Sequence, residues 1–191
     1  MITLFICNCQ SDFIAGTMCK KSTKDILPAI KNYIKEHKNE IDQIIFTVDW
    51  HPYNHCSFKK NGGIWPVHCV QFTPGACIEP KLLKYVQSLN IKYQVDTLGI
   101  YEEIEEYGAF NDMEHIQDAL GNRIYFDNYI QVDGNTEFVV CGLTGDYSIK
   151  ETLKNMKENR IEPKVLIDGT ASIDNGEKLL KYIKENGIEK I

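Results

Sequence analysis

The apolar positions of this chain fall into short blocks that alternate between two periods. Ile2 to Cys9 is a nearly unbroken apolar run, the pattern of a strand buried on both faces. After a loop containing Gly16, the residues Ile26, Ile30, Tyr33 and Ile34 recur at helical spacing. Ser22 with Asp25 reads as a capping box, so a helix is expected from Ser22 to about His37. Gln43 to Val48 is a second strand, Gly62 to Ala76 an aperiodic Gly/Pro/Trp-rich loop, Pro80 to Leu89 a short helix with Pro in its first turn, and Ile91 to Val95 a third strand. Glu137 to Leu143, EFVVCGL, is the clearest buried strand. A helix over Asp146 to Asn159 turns Ile149, Leu153 and Met156 inward, and Lys164 to Ile167 is the next strand. Asn175 to Asn186 is a helix stopped by Gly187, and Ile188 to Ile191 an edge strand. The stretch from Tyr101 to Val132 is the least regular: a helix starting at Asp112, with Glu114 in its first turn, then over Arg123 to Val132 either two short strands or an insertion.

Strands alternating with helices predict a three-layer α/β fold, α-β-α, around a mostly parallel sheet. With no linker or repeat, 1–191 is expected to be a single domain. Ligands of such sheets bind beyond the carboxyl ends of the strands, so the strand ends near positions 8, 49, 98 and 143 should converge. The formal net charge of −6, with no basic block, speaks against nucleic acid or an anionic membrane as partner. No apolar run approaches the length of a membrane span, and the first residues lack the basic region and cleavage pattern of a signal peptide. The seven cysteines show no paired metal spacing, and several sit inside apolar strands, which predicts reduced thiols and a cytoplasmic location.

The candidate chemistry is concentrated in Thr47 to Phe58, TVDWHPYNHCSF, where Asp49, His51 and His55 follow an apolar run, and in Trp65 to Ala76, WPVHCVQFTPGA, which adds His68. One carboxylate and three imidazoles suit a divalent metal such as Zn, Fe, Ni or Cu. The same spacing also suits ordinary loop histidines, and at this level both readings stand.

These residues carry a resemblance. D-W-H-P-x-x-H-x-S-F followed by W-P-x-H-C-V-Q resembles the metal-site signature of the nicotinamidases, within the isochorismatase-like cysteine hydrolase superfamily. The resemblance spans about residues 2 to 188 and implies the isochorismatase-like hydrolase fold. It implies Asp49, His51, His55 and His68 as metal ligands, with zinc first and iron, manganese or nickel as alternatives. It also implies a pocket for a small planar nitrogen heterocycle such as nicotinamide, with Phe13 and Trp65 as sandwiching rings and Tyr107 and Phe110 as further aromatics. Leu143-Thr144 matches the family's cis peptide beside the oxyanion amides. A homo-oligomer is compatible with the sequence.

The resemblance further implies three catalytic residues: an Asp ending the first strand, a Lys after the third, and a Cys opening the helix after the fourth. A thiolate attacks the amide, the carboxylate takes its proton, and the ammonium lowers the thiol pKa. Here D-x-Q-x-D-F reads Asn8-Cys9-Gln10-Ser11-Asp12-Phe13, K-G reads Leu98-Gly99, and G-x-x-T-D-x-C-V ends at Ser148-Ile149. Asn8 cannot accept a proton near neutral pH, Leu98 has no charge, and the Ser148 hydroxyl is a far weaker acid than a thiol. Losing a base or nucleophile costs on the order of 10² to 10⁴ in rate. The expectation is a catalytically degenerate nicotinamidase-like protein, a pseudoenzyme that keeps the metal and the aromatic pocket. The alternatives are an active metal-dependent amidohydrolase, converting nicotinamide to nicotinate and ammonia through metal-activated water or Ser148, and a structural or interaction module without metal.

Overall fold

The computed structural model describes residues 1–109 and 135–191. In chain order its regular elements are β1 (Ile2–Cys7), α1 (Ser11–Ile14), α2 (Ile26–Glu36), β2 (Ile41–Asp49), α3 (Pro80–Ser88), β3 (Lys92–Leu98), β4 (Glu137–Gly142), α4 (Lys150–Glu158), β5 (Pro163–Thr170), α5 (Glu177–Glu185) and β6 (Glu189–Lys190). The strands form one six-stranded sheet in the order β3-β2-β1-β4-β5-β6, every pair parallel.

The apolar runs explain that order. All six residues of β1 are buried, and β4 is buried from Phe138 onward, as central strands covered on both faces must be. On one face Leu4, Ile6, Ile44 and Phe46 pack with Ile30 and Ile34 of α2 and Leu82 and Val86 of α3. On the other, Phe5, Ile45 and Val140 pack with Leu153 and Met156 of α4 and Leu179 and Ile183 of α5. Each such side chain contributes roughly 1.5–3 kcal/mol by leaving water. The inward turn of Ile149, Leu153 and Met156 is as the sequence predicts.

Several boundaries differ from the sequence expectation, for local reasons. β1 stops at Cys7 because Asn8 takes a left-handed conformation, φ 48°. Residues Lys21–Asp25 form a 3₁₀ turn, and α2 proper begins only at Ile26, with no side-chain cap. The helix after β4 opens with a π-helical turn, Gly145–Ile149. At α3 the sequence reading found Pro80 but missed that the Glu79 carboxylate accepts a hydrogen bond from Leu82 N at 2.6 Å. Gly187 ends the last helix with φ 62°, as expected. The helix expected from Asp112, the strands or insertion expected over Arg123 to Val132, and Phe110 lie outside the described residues. Among the described residues no helix is long and apolar enough to cross a membrane.

From β1 the chain winds outward to β2 and β3, then returns to the far side of β1 to lay down β4, β5 and β6. The strand order therefore reverses between β1 and β4. A crevice opens at such a switch point, beyond the carboxyl ends of the strands.

Candidate metal centre and aromatic pocket

The last residue of β2 is Asp49, and two backbone ladders hold it and its neighbours at the crevice. Gln10 is fully buried; its side chain accepts from Asp49 N at 2.8 Å and donates to Asp49 O at 2.7 Å and to Ala76 O at 2.9 Å. The segment carrying His68 is joined to the extension of β2, with His51 N donating to Cys69 O at 3.0 Å and Gln71 N to His51 O at 2.8 Å. Asp12 fastens the same segment from the β1 side, accepting from Cys69 N at 2.7 Å. Both Gln10 and Asp12 figure in the sequence only as motif letters, and their bracing roles emerge from the fold.

Asp49, His51 and His68 converge, all three buried, with one ligand atom from each within 4.8 Å of the others. Asp49 Oδ2 lies 3.6 Å from His51 Nε2 and 3.4 Å from His68 Nε2. Zinc bonds of about 2.0–2.1 Å at tetrahedral angles would place ligand atoms about 3.3–3.4 Å apart, so the spacing fits an ion. The tautomers fit as well. His51 Nδ1–H donates to Gly99 O at 3.0 Å and His68 Nδ1–H to Pro66 O at 2.9 Å, which leaves each Nε2 facing Asp49 as the atom available to a metal. Burial pushes the Asp49 carboxyl up, but the hydrogen bonds and charges of His51 and His68 outweigh it and hold it well below the ordinary range. Burial likewise pushes His51 down, and Asp49 more than reverses this.

His55 stands apart from these three. Its Nε2–H donates to Ile104 O at 2.9 Å, its Nδ1 accepts from Ser57 Oγ at 2.7 Å, and its ring stacks on His51 at 4.1 Å. Burial, with the neighbouring His51, lowers its pKa to about 4, so it is neutral near pH 7. The structure thus brings together three of the four residues that the sequence assigned to the metal and uses the fourth to support His51.

Beside the three lies a narrow pocket lined by Phe13, Trp65, Tyr107, Tyr147, Thr144 and Ser148, with Glu105 and Glu106 also on its wall. Trp65 Nε1–H donates to the Tyr107 hydroxyl at 3.1 Å, and Trp65 meets Tyr147 edge-on at 4.9 Å. Phe13 meets His68 edge-on at 5.7 Å. The Leu143-Thr144 peptide is cis, Leu143 is wholly buried, and Thr144 Oγ1 accepts from Ser148 N at 3.4 Å. The sequence reading missed Tyr147, Glu105 and Glu106. Tyr147 was in view one position before Ser148, and the two glutamates were hidden in an acidic run with no periodicity.

Comparison with known proteins agrees with this geometry. No family model matches the chain. The nicotinamidase of Saccharomyces cerevisiae is 26% identical over 211 residues, covering 97% of this chain and 94% of that protein. Among solved structures, the pyrazinamidase of Pyrococcus horikoshii in complex with zinc superposes with a TM-score of 0.77 at 26% identity, covering 100% of this chain and 98% of that one. PnC1 of L. infantum in complex with nicotinate gives a TM-score of 0.82 at 27% identity, covering 100% and 91%. Along its whole length the chain is similar to nicotinamidases, and it shares the isochorismatase-like hydrolase fold.

The three residues that the motif resemblance sets at the family's catalytic positions have particular surroundings here. Asn8 is fully buried just past β1, and neither its side-chain oxygen nor its nitrogen has a hydrogen-bond partner among the described residues. Leu98 ends β3, is 5% exposed and is paired in register with Asp49. Ser148 lies in the π-helical turn at 4% exposure. Burial raises the thiol of Cys7 to about 11 and lifts those of Cys9, Cys69 and Cys141 as well, so none of these four is a thiolate near neutral pH.

Proposed function

We propose that this nicotinamidase-like protein holds a divalent metal, zinc first, through Asp49, His51 and His68, and binds a nicotinamide-like planar heterocycle beside it without cleaving it by thiol chemistry. A metal bound there would act as a Lewis acid that fixes and polarises the ligand. Trp65, Phe13, Tyr107 and Tyr147 supply the aromatic surface for a flat ring. The observation that carries the reading is the pairing of an intact, correctly oriented ligand triad with a hydroxyl at Ser148 and an amide at Asn8. Those two positions are where a thiol and its base are required. The protein is then a degenerate relative that acts by binding, as a single domain over 1–191 in the cytoplasm.

Calorimetric titration with nicotinamide and with nicotinate, with and without zinc, tests it. Zinc-dependent heat is expected, with no ammonia released from nicotinamide. Silence with every pyridine would end the proposal. The second reading, an active hydrolase, is favoured by one observation: the Ser148 hydroxyl lines the pocket beside Thr144. Ammonia release that disappears in Ser148→Ala would establish it instead.

A further inference from the structure

The wall of the aromatic pocket carries three carboxylates, Asp49, Glu105 and Glu106, beside His51 and His68, and among the described residues no lysine or arginine lines it. The end of the third strand, where the motif resemblance implies a lysine, holds the aliphatic Leu98, buried beside Asp49. Glu106 is engaged by the fold, accepting from Gly99 N at 2.8 Å. Glu105 sits on the rim, exposed on its outer side, within electrostatic reach of Asp49, His51 and His68. Among the described residues, Lys178 brings a cation to the aromatic group, its Nζ 5.2 Å from the Tyr147 ring centroid. It is 59% exposed and paired with Asp174 at 3.5 Å, so solvent and that carboxylate screen it.

Trp and Tyr faces attract cations through their quadrupole, and a carboxylate beside such rings adds to the attraction. Asp49 offsets part of a bound metal's charge, and Glu105 and Glu106 add two further carboxylates on the wall. An anionic ligand entering here meets the Glu105 carboxylate, and among the described residues only the two histidines and a bound metal could offset that repulsion.

Building on the function proposed above, we infer that Glu105 sets the charge preference of this pocket, which selects a cationic planar nitrogen heterocycle over a neutral one and rejects the carboxylate form. The side chain acts by charge at the rim and touches no reacting atom.

The test is a set of binding titrations on the zinc-loaded full chain. The ligands are the ring-N-methylated pyridinium form of nicotinamide, nicotinamide itself, nicotinate, and a pyridine bearing an aminomethyl group, which puts the positive charge outside the ring. At least one of the two cations is expected to bind about tenfold or more tighter than nicotinate. Glu105→Gln should shrink that ratio to about threefold or less, and added salt should weaken cation binding in the original protein more than in the variant. Nicotinate binding as tightly as both cations, or a preference that survives Glu105→Gln unchanged, would overturn this inference while leaving the proposed function standing. Failure of all four ligands to bind would overturn both.

Discussion

Gly99 sits at φ 61°, and a Cβ there would meet His51 Cε1 and Nδ1 at 2.5 Å. Its carbonyl is also the acceptor that fixes the His51 tautomer. Gly99→Ala is therefore expected to displace the imidazole and lower zinc affinity about 10- to 100-fold, the range for disturbing a ligand's supporting hydrogen bond. Gly187 is the control, with φ 62° but no atom within 4 Å of a built Cβ. Gly187→Ala should cost only about 1 kcal/mol of stability and leave the metal alone. Competitive zinc titration and chemical denaturation of both variants separate the two effects.

Asp96 gives a pH prediction. Burial, with the charge of Glu106 adding to it, raises its pKa to about 7, and its Oδ2 has no hydrogen-bond partner among the described residues. The folded-state pKa lies above the unfolded one, so the folded protein holds a proton that the unfolded chain has released. Stability contributed at this site then falls as pH rises from about 4 to about 7. Asp96→Asn removes that loss. The variant should match the original protein in acid and exceed it by about 1–3 kcal/mol above neutrality, measured by urea unfolding on either side of the transition.

At the scale of elements, the candidate metal site is a junction of three pieces: the end of β2, the loop after it, and the turn after β3. Gln10 binds the first of these through both of its polar ends. Gln10→Ala would leave the buried Asp49 N–H without its acceptor, at a cost of about 1–3 kcal/mol. It should also loosen Asp49 enough to weaken zinc binding. A loss of stability with full zinc affinity would show that β2 alone holds the aspartate. The motif letters made Asp49, His51 and His68 legible as a set. They did not reveal that Gln10 and Asp12 brace them, because a hydrogen bond across 39 or 57 residues leaves no periodic trace. Likewise the motif places His55 among the ligands, and its bonds to Ser57 and Ile104 are visible only in the fold.

At the scale of the whole molecule, a metal that binds only the folded chain stabilises it by mass action. Zinc in hundredfold excess over its dissociation constant adds about 2.7 kcal/mol. For a chain of this length that corresponds to a rise of roughly 5–10 °C in Tm. Thermal melts with zinc and with chelator should show this shift in the original protein and lose it in Asp49→Asn and His68→Ala. His55→Ala should keep most of it. A full loss in His55→Ala would place that ring on the metal after all.

The sequence by itself determined the layered α/β plan, the central strands, the inward faces of the helices and the identity of the metal-loop residues. Burial and period are local properties, and each is written into a few consecutive side chains. The tertiary structure decided where β1 ends, which histidines face Asp49, and that Tyr147, Glu105 and Glu106 meet around one pocket. Those outcomes depend on contacts between segments far apart in the chain, and a one-dimensional pattern carries no distance between them.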